Sequence, residues 1–190
     1  MKCHVSLFAA ALTAAIFFAP AASAAEPIPE VTRAVDDVVA HYGLPGIAVG
    51  VVVDGQVRQV ELRGEVAAGS GEPITVDTLF KVASNTKAMT AALLARQVDA
   101  GLLAWDDPVI RHLPDFRMYE DWVTREIQVR DLLIHNSGLG PGAGDLMLWP
   151  EPNSFTREEV IAGIAHLKPL WSFRSRYAYD NNLYIVAGEV

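Results

Sequence analysis

Residues 84–100 read SNTKAMTAALLARQVDA, and a lysine follows a serine by three positions at their start. The segment is rich in alanine, leucine and methionine, which favours a helix, and Gly101 marks its C-terminal end. Side chains three residues apart on a helix have Cβ atoms about 5–6 Å apart, so Lys87 can reach the hydroxyl of Ser84. A serine becomes a nucleophile when a base removes its proton, so this pair indicates a nucleophile with its base.

A second polar pair, Tyr179 and Asn181, makes this interpretation more specific. A tyrosine hydroxyl can relay protons, and an asparagine side chain both donates and accepts hydrogen bonds. Backbone N–H groups at the helix start would stabilise an oxyanion formed at Ser84. Each pair also has a purely structural interpretation: a helix-capping serine beside a solvated Lys87, and a packed aromatic residue beside a turn residue. The occurrence of both pairs in one chain favours the catalytic interpretation.

Hydrophobic periodicity and turn residues predict the remaining secondary structure. The chain is expected to begin with a helix and a β-hairpin, because an apolar stripe is followed by a β-branched run and an Asp-Gly turn. Irregular connections are expected at residues 64–77 and 140–153, with a short extended piece at 78–82. The predicted strands are 46–53 and 56–63, and the predicted helices are 29–42, 84–100, a short one after Asp107-Pro108, 129–135, one opening at Thr156 with a Thr-x-x-Glu capping box, and 181–190.

Residues 1–24 have the pattern of a secretory signal peptide. Lys2 is followed by an apolar run of about 15 residues, too short to span a bilayer comfortably, and Ala-Ser-Ala at 22–24 is typical of a cleavage site. An uncleaved membrane anchor is the alternative. We expect a periplasmic or secreted protein whose mature chain starts near Ala25 and has no stable membrane anchor after cleavage.

The composition of the mature chain excludes several classes of function. Cys3 is the only cysteine, so the mature chain cannot form a disulfide bond. Removing Lys2 reduces the 15 basic residues to 14, against 23 acidic ones, and leaves a net charge of −9. Nonspecific nucleic-acid binding needs a basic face and is not expected. His41, His112 and His166 show no metal-ligand spacing, and we expect neither a metal nor another cofactor.

Ser84-x-x-Lys87 followed by Tyr179-x-Asn181 resembles the first two motifs of the serine β-lactamase and penicillin-binding protein superfamily. The tyrosine in the second motif is similar to that of the class C β-lactamase-like branch, which includes D-Ala-D-Ala carboxypeptidases and esterases. The resemblance covers the chain from residue 27 to residue 190. It is supported in order by Asp54-Gly55, Thr78-Leu79-Phe80, Gly101-Leu102-Leu103, Asp106-Asp107-Pro108-Val109, Leu113-Pro114 and Leu132–Leu139.

The resemblance implies an α/β fold of the α+β type, β-lactamase/transpeptidase-like, in which an antiparallel sheet flanked by helices joins a helical lobe. It implies that Ser84 is the acylated nucleophile, that Lys87 and Tyr179 share the proton transfers, and that Asn181 binds the substrate. The protein would be an exported serine hydrolase that acts through an acyl-enzyme, without a cofactor. Its small-molecule or peptide substrate would be a β-lactam, a D-Ala peptide or an ester.

Three features depart from the family pattern. Asp180 stands where Ser or Ala is common, and Pro-Gly is absent just before Tyr179, which leaves the substrate class open. No Lys-Thr-Gly-like motif follows before Val190. Residues 25–190 are therefore expected to be the N-terminal part of the hydrolase domain, with the C-terminal strands absent and no activity on their own. The alternative is a truncated, non-catalytic fragment or binding module of the family.

Three further side chains have secondary interpretations. His135 is expected to shape its loop rather than to act in catalysis. Arg174 and Arg176 could bind a substrate carboxylate, but a solvated edge is the favoured interpretation for both.

Overall fold

The computed structural model describes residues 26–190, which form two compact units divided after Phe80. The predicted signal peptide, residues 1–24, lies outside the described residues. No helix within residues 26–190 has both the length and the apolar character needed to cross a membrane.

The first unit contains one helix and a two-stranded antiparallel sheet. Helix α1 spans Pro29–Tyr42, and strands β1 (Gly46–Val53) and β2 (Gln56–Gly64) form a hairpin. Asp54 and Gly55 in the turn have φ angles of 50° and 75°, the positive values that a two-residue turn of this type requires. The predicted helix, strands and turn are therefore confirmed, with β2 one residue longer than expected.

Polar contacts attach α1 to β2 within the first unit. Thr32 Oγ1 donates to Glu61 Oε1 at 2.6 Å, and the backbone N–H of Ile28 donates to Gln59 Oε1 at 2.6 Å. Val35 is the buried member of the apolar stripe predicted for α1. Helix α1 is therefore attached to β2 by hydrogen bonds to the Gln59 and Glu61 side chains, in addition to the burial of Val35.

The second unit, residues 81–190, is built from helices and short 3-10 turns. Its α-helices are α2 (Thr86–Asp99), α3 (Val109–His112), α4 (Asp121–Glu126), α5 (Arg157–Gly163) and α6 (Asn182–Glu189), and its 3-10 turns are Ala83–Asn85, Val129–Leu132, Asp145–Met147 and Ile164–His166. The predicted capping box between Thr156 and Glu159 is present at the start of α5. Combined with the hairpin of the first unit, these elements confirm the mixed α+β class.

Three local features differ from the prediction. The helix expected at 129–135 is limited to the 3-10 turn Val129–Leu132, and His135, with a φ of 60°, lies outside the right-handed helical region. Helix α4 was not indicated by the sequence patterns. Residues 78–82, expected to be extended, form no strand.

The core of the second unit fixes the helix that follows the predicted Tyr-x-Asn motif. Leu183 and Val186 lie three residues apart on α6, and both are almost completely buried. Burying a side chain of this size stabilises a fold by about 1.5–3 kcal/mol. The remaining core side chains include Leu94, Val109, Phe116, Ile127, Val129, Leu132, Leu139 and Ile164. Helix α6 is therefore a rigid support for the residues just before it.

An ion pair between the buried Asp131 and the exposed Arg174 joins two distant segments of the second unit. Arg174 donates to the Asp131 carboxylate through Nη2 at 2.6 Å and Nε at 3.1 Å, and the backbone N–H of Gln128 adds a third bond at 2.9 Å. Burial alone would raise the pKa of the Asp131 carboxyl, but these hydrogen bonds, led by those from Arg174, lower it. Arg174 is exposed, as the predicted solvated edge requires, but its guanidinium is paired with Asp131, which the sequence did not indicate. Arg176 is exposed, with its guanidinium 4.8 Å from the ring centroid of Trp171.

Replacing Arg174 by alanine is expected to destabilise the fold by about 3 kcal/mol, because Asp131 would stay buried without its cation. This loss of stability is at the low end of the range for breaking a buried ion pair, because the Arg174 guanidinium is partly exposed. Chemical denaturation near neutral pH measures this loss, and the control Arg176→Ala should cost less than about 1 kcal/mol.

The same ion pair gives the loss a defined pH dependence. The pKa of Asp131 is lower in the folded than in the unfolded protein. The contribution of the ion pair to the free energy of unfolding is therefore present above the unfolded pKa and disappears as the pH falls through the folded pKa. A stability difference between parent and Arg174→Ala that persists at full size at about pH 2 would contradict the ion-pair explanation.

Candidate active site

Ser84 lies in the 3-10 turn Ala83–Asn85, immediately before α2, and is exposed. Ala83 has a φ of 46°, a left-handed conformation that costs a non-glycine residue about 1–3 kcal/mol. Strained backbone of this kind is concentrated at functional sites. Ser84 therefore lies on a strained turn at the start of a helix. This is the position expected for a nucleophile whose oxyanion is stabilised by the N–H groups of the helix start.

Lys87 lies in the first turn of α2, and its ammonium contacts both predicted polar pairs. Nζ donates to Ser84 Oγ at 3.3 Å and to Asn181 Oδ1 at 2.6 Å. It also lies over the rings of Tyr179 and Tyr184, 4.7 Å and 5.3 Å from their centroids. The structure thus brings Lys87 within hydrogen-bond distance of the serine, as the three-residue spacing predicts.

Tyr179 contacts the same serine hydroxyl from a distant part of the chain. Its Oη donates to Ser84 Oγ at 2.7 Å. Hydrogen bonding with Lys87, and then with Ser84, lowers the pKa of the Tyr179 phenol below its ordinary value. Ser84 Oγ therefore lies within hydrogen-bond distance of two groups, each of which can accept its proton after losing its own.

Asn181 lies between Lys87 and Asp145, a residue that the sequence analysis missed. Asn181 Oδ1 accepts the bond from Lys87, and Nδ2 lies 3.2 Å from each carboxylate oxygen of Asp145. Asp145 begins a 3-10 turn inside the segment predicted to be an irregular loop. The glycines at 142 and 144 predict a tight turn at this point, but no local pattern connects it to Asn181.

Asp180 lies between Tyr179 and Asn181 in the sequence, and its side chain is buried against the start of α6. Its Oδ1 accepts the backbone N–H groups of Asn182 at 2.9 Å and Leu183 at 3.3 Å, and its Oδ2 accepts the hydroxyl of Ser137 at 3.3 Å. Burial raises the pKa of the Asp180 carboxyl. The aspartate that stands here in place of the common Ser or Ala therefore contacts the start of α6, and its hydrogen bonds do not involve Ser84, Lys87 or Tyr179.

His135 supports the ring of Tyr179. The imidazole packs against Tyr177, Tyr179 and Tyr184, with ring centroids 5.3 Å, 4.6 Å and 5.5 Å apart. Its Nδ1 accepts the backbone N–H of Asp180 at 3.1 Å, which places the hydrogen of the neutral ring on Nε2. Burial, and then the charge of the nearby lysine, lower the pKa of the imidazole. These contacts agree with the predicted loop-shaping role.

The structure gathers all four predicted site residues, Ser84, Lys87, Tyr179 and Asn181, into one hydrogen-bonded cluster within the second unit. A nucleophile, two candidate bases and an amide are a set suited to acyl transfer. Among the side chains of residues 26–190, no group of three or more His, Cys, Asp or Glu is arranged to hold a metal ion. The catalytic roles of the four residues stay predictions.

Several known proteins are similar in sequence to this chain. The model of the family described as Beta-lactamase matches residues 31–190. The D-alanyl-D-alanine-carboxypeptidase/endopeptidase AmpH of Escherichia coli K12 is 29% identical over 188 residues, which cover 92% of this chain and 47% of AmpH. Esterase EstB of Burkholderia gladioli is 35% identical over 116 residues, which cover 58% of this chain and 30% of EstB. The chain thus spans less than half the length of either relative.

Solved structures share the fold. The octameric penicillin-binding protein homologue from Pyrococcus abyssi superposes with a TM-score of 0.69 at 25% identity, over 85% of this chain and 37% of that one. The predicted β-lactamase/transpeptidase-like fold, with helices and a small antiparallel sheet, is therefore confirmed.

Proposed function

The chain belongs to the beta-lactamase family, and on that basis we propose that it carries the nucleophile of a serine hydrolase that acts through an acyl-enzyme at Ser84. The observation that carries the proposal is the position of Ser84 Oγ, 2.7 Å from Tyr179 Oη and 3.3 Å from Lys87 Nζ. A serine hydroxyl within hydrogen-bond distance of two candidate bases is the arrangement that nucleophilic catalysis requires.

Acylation begins when Ser84 Oγ attacks the carbonyl carbon of the substrate. As the new C–O bond forms, the hydroxyl proton passes to Tyr179 in its ionised form or to neutral Lys87, and the carbonyl electron pair moves onto oxygen. N–H groups at the start of α2 stabilise the resulting oxyanion. When the tetrahedral intermediate collapses, the bond to the leaving amine or alkoxide breaks, and that group takes the proton from the same base.

Deacylation repeats these steps with water as the nucleophile. The base accepts a proton from water while the oxygen attacks the ester carbon, and it returns this proton to Ser84 Oγ as the acyl group leaves. The lowered pKa of the Tyr179 phenol supports its part in both half-reactions, because a base must lose its own proton before it can accept another. No cofactor enters either step.

The proposed substrate is an acyl donor bound in part by the Asn181 amide. β-Lactams, D-Ala peptides and esters are all acyl donors, and the three similar proteins are by name a penicillin-binding protein homologue, a D-alanyl-D-alanine carboxypeptidase and an esterase. The signal-peptide pattern of residues 1–24 supports action outside the cytoplasm, in the periplasm or after secretion.

Turnover of three acyl donors tests the proposed function. The full-length gene product is incubated separately with nitrocefin, a D-Ala-D-Ala peptide and p-nitrophenyl acetate, and Ser84→Ala provides the background rate. Turnover well above this background with at least one donor is expected. The absence of both turnover and a covalent adduct with every donor would reject the proposal in favour of a non-catalytic binding module of the family.

Removing the Tyr179 hydroxyl is expected to slow acylation substantially. Tyr179→Phe keeps the ring on His135 but deletes the hydrogen bond to Ser84, and losing such a proton-transfer group costs about 10²-fold or more in rate. Single-turnover acylation measures the loss. Tyr177→Phe alters an exposed neighbour that also packs on His135, and it should acylate at the parent rate. Equal rates for Tyr179→Phe and the parent would remove Tyr179 from the mechanism.

A further inference from the structure

The loop that precedes Asp145 packs tightly against the start of α6. Gly144 has a φ of 78°, and a Cβ atom at this position would lie 2.7 Å from Asn182 Nδ2, so the loop requires glycine there. Asn182 is fully buried, and its Nδ2 donates to Ala143 O at 2.7 Å. Because the loop is anchored to Asn182, Asp145 is held at a defined distance from the neighbouring Asn181.

The Asn181 amide lies between two groups of opposite hydrogen-bonding character. The Lys87 ammonium can only donate, and the ionised Asp145 carboxylate can only accept. Asn181 Oδ1 therefore faces Lys87 at 2.6 Å, and Nδ2 faces Asp145 at 3.2 Å from each oxygen. Turning the amide over would place donors against donors at Lys87 and acceptors against acceptors at Asp145. Both neighbours thus select the same orientation.

We propose that Asp145 is a positioning residue that fixes the Asn181 amide with its oxygen toward Lys87 and one N–H available to the substrate, an inference that rests on the proposed function. The two N–H bonds of a primary amide diverge, so that one can point at the carboxylate while the other points away from it. Asp145 acts through Asn181 and needs no contact with the substrate or with Ser84.

The charge of Asp145 supports the same role. The carboxylate and the Lys87 ammonium lie at opposite ends of the Asn181 amide, and a hydrogen-bonded chain with a charge at each end polarises the amide between them. The negative charge of Asp145 also opposes the lowering of the Tyr179 pKa that Lys87 and Ser84 produce. The Asp145 carboxylate therefore orients and polarises the Asn181 amide, and it keeps the pKa of the Tyr179 phenol from falling as far as Lys87 and Ser84 alone would lower it.

A double-mutant cycle on the full-length gene product tests the assignment. Asp145→Ala is expected to slow acylation of Ser84 by roughly 10²-fold, the cost of a misplacement of about 1 Å. In an Asn181→Ala background the same substitution should change the rate by no more than about twofold, because Asp145 then has no amide to hold. Asp145→Asn keeps a carbonyl acceptor and should lose less than Asp145→Ala. Asp115→Ala, at an exposed aspartate of the same unit, is the control and should leave the rate unchanged.

The side-chain amide of Asn181 gives a readout that does not depend on catalysis. Its NH2 signals in nitrogen-15 correlation spectra are identified by their loss in Asn181→Ala. The N–H that faces Asp145 is expected to exchange slowly with water in the parent and in Asp115→Ala, and faster in Asp145→Ala, because the carboxylate no longer protects it. A loss of general stability would change backbone exchange throughout the fold, whereas the proposed role changes this one amide.

Two results would overturn the assignment: equal losses from Asp145→Ala in both backgrounds, or an Asn181 amide whose exchange does not respond to Asp145→Ala. If Asn181→Ala acylates too slowly to measure, the exchange of the Asn181 amide is the deciding result. If Asp145→Ala does not fold, Asp145→Asn takes its place in both experiments. A failure of the proposed function would appear separately, as covalent labelling that survives Ser84→Ala.

Discussion

Replacing Ser84 by alanine is expected to abolish covalent labelling of the full-length gene product by a fluorophosphonate or a penicillin probe. Ser84 Oγ is hydrogen-bonded to both Lys87 and Tyr179, and the substitution by alanine removes this atom. Intact-mass measurement of parent and variant after the same exposure gives the result directly. The expected variant spectrum contains only unmodified protein.

A matched serine shows that the effect is specific. Ser175 is exposed and lies in the same unit, and Ser175→Ala should be labelled as fast as the parent. Labelling of Ser84→Ala at the parent rate would mean that another side chain is acylated, and the assignment of the nucleophile would be wrong.

Replacing Lys87 by alanine is expected to slow acylation by about 10²–10⁴-fold, the usual effect of losing a general base. The substitution removes the hydrogen bonds to Ser84 and Asn181 together with the charge that lowers the Tyr179 pKa. Single-turnover labelling measures the rate. Circular dichroism and a denaturation curve test whether the fold is retained.

Two further variants separate the base from a simple positive charge. Lys87→Arg keeps the charge but cannot lose a proton under ordinary conditions, so it should acylate about as slowly as Lys87→Ala. Lys168→Ala removes an exposed lysine of the same unit and should have no effect. Parent-like acylation by Lys87→Arg would show that Lys87 contributes charge alone, and the proton transfer would then be assigned to Tyr179.

The first unit could be predicted almost residue by residue, because its signals are local. A proline near the helix start, Gly43 at a φ of 60° after its end, and an Asp-Gly turn each act over a few residues. Such signals define α1 at Pro29–Tyr42 and β1 at Gly46–Val53 in the sequence as they do in the structure.

The site could be predicted in part. The contact between Ser84 and Lys87 follows from the helical repeat alone. Tyr179 and Asn181 reach these two residues across 95 and 94 positions of sequence, so only the family resemblance could bring the two motifs together. Helical periodicity carries no information at such separations.

Asp145 and the Asp131–Arg174 pair could not be predicted from the sequence. Asp145 meets Asn181 across 36 residues, and Arg174 meets Asp131 across 43. Each contact joins a loop to a distant segment, and a charged residue in a loop looks locally like any solvated side chain. The tertiary fold decides which of these charges is buried and paired.

Mapping the acylated residue in the parent protein shows directly whether Ser84 is the nucleophile. The full-length gene product is treated with penicillin, digested with trypsin and sequenced by tandem mass spectrometry. Cleavage after Lys81 and Lys87 isolates the peptide Val82–Lys87, which contains Ser84. The penicilloyl mass is expected on Ser84 in this peptide. An adduct on any other residue of the acylated protein would show that Ser84 is not the nucleophile.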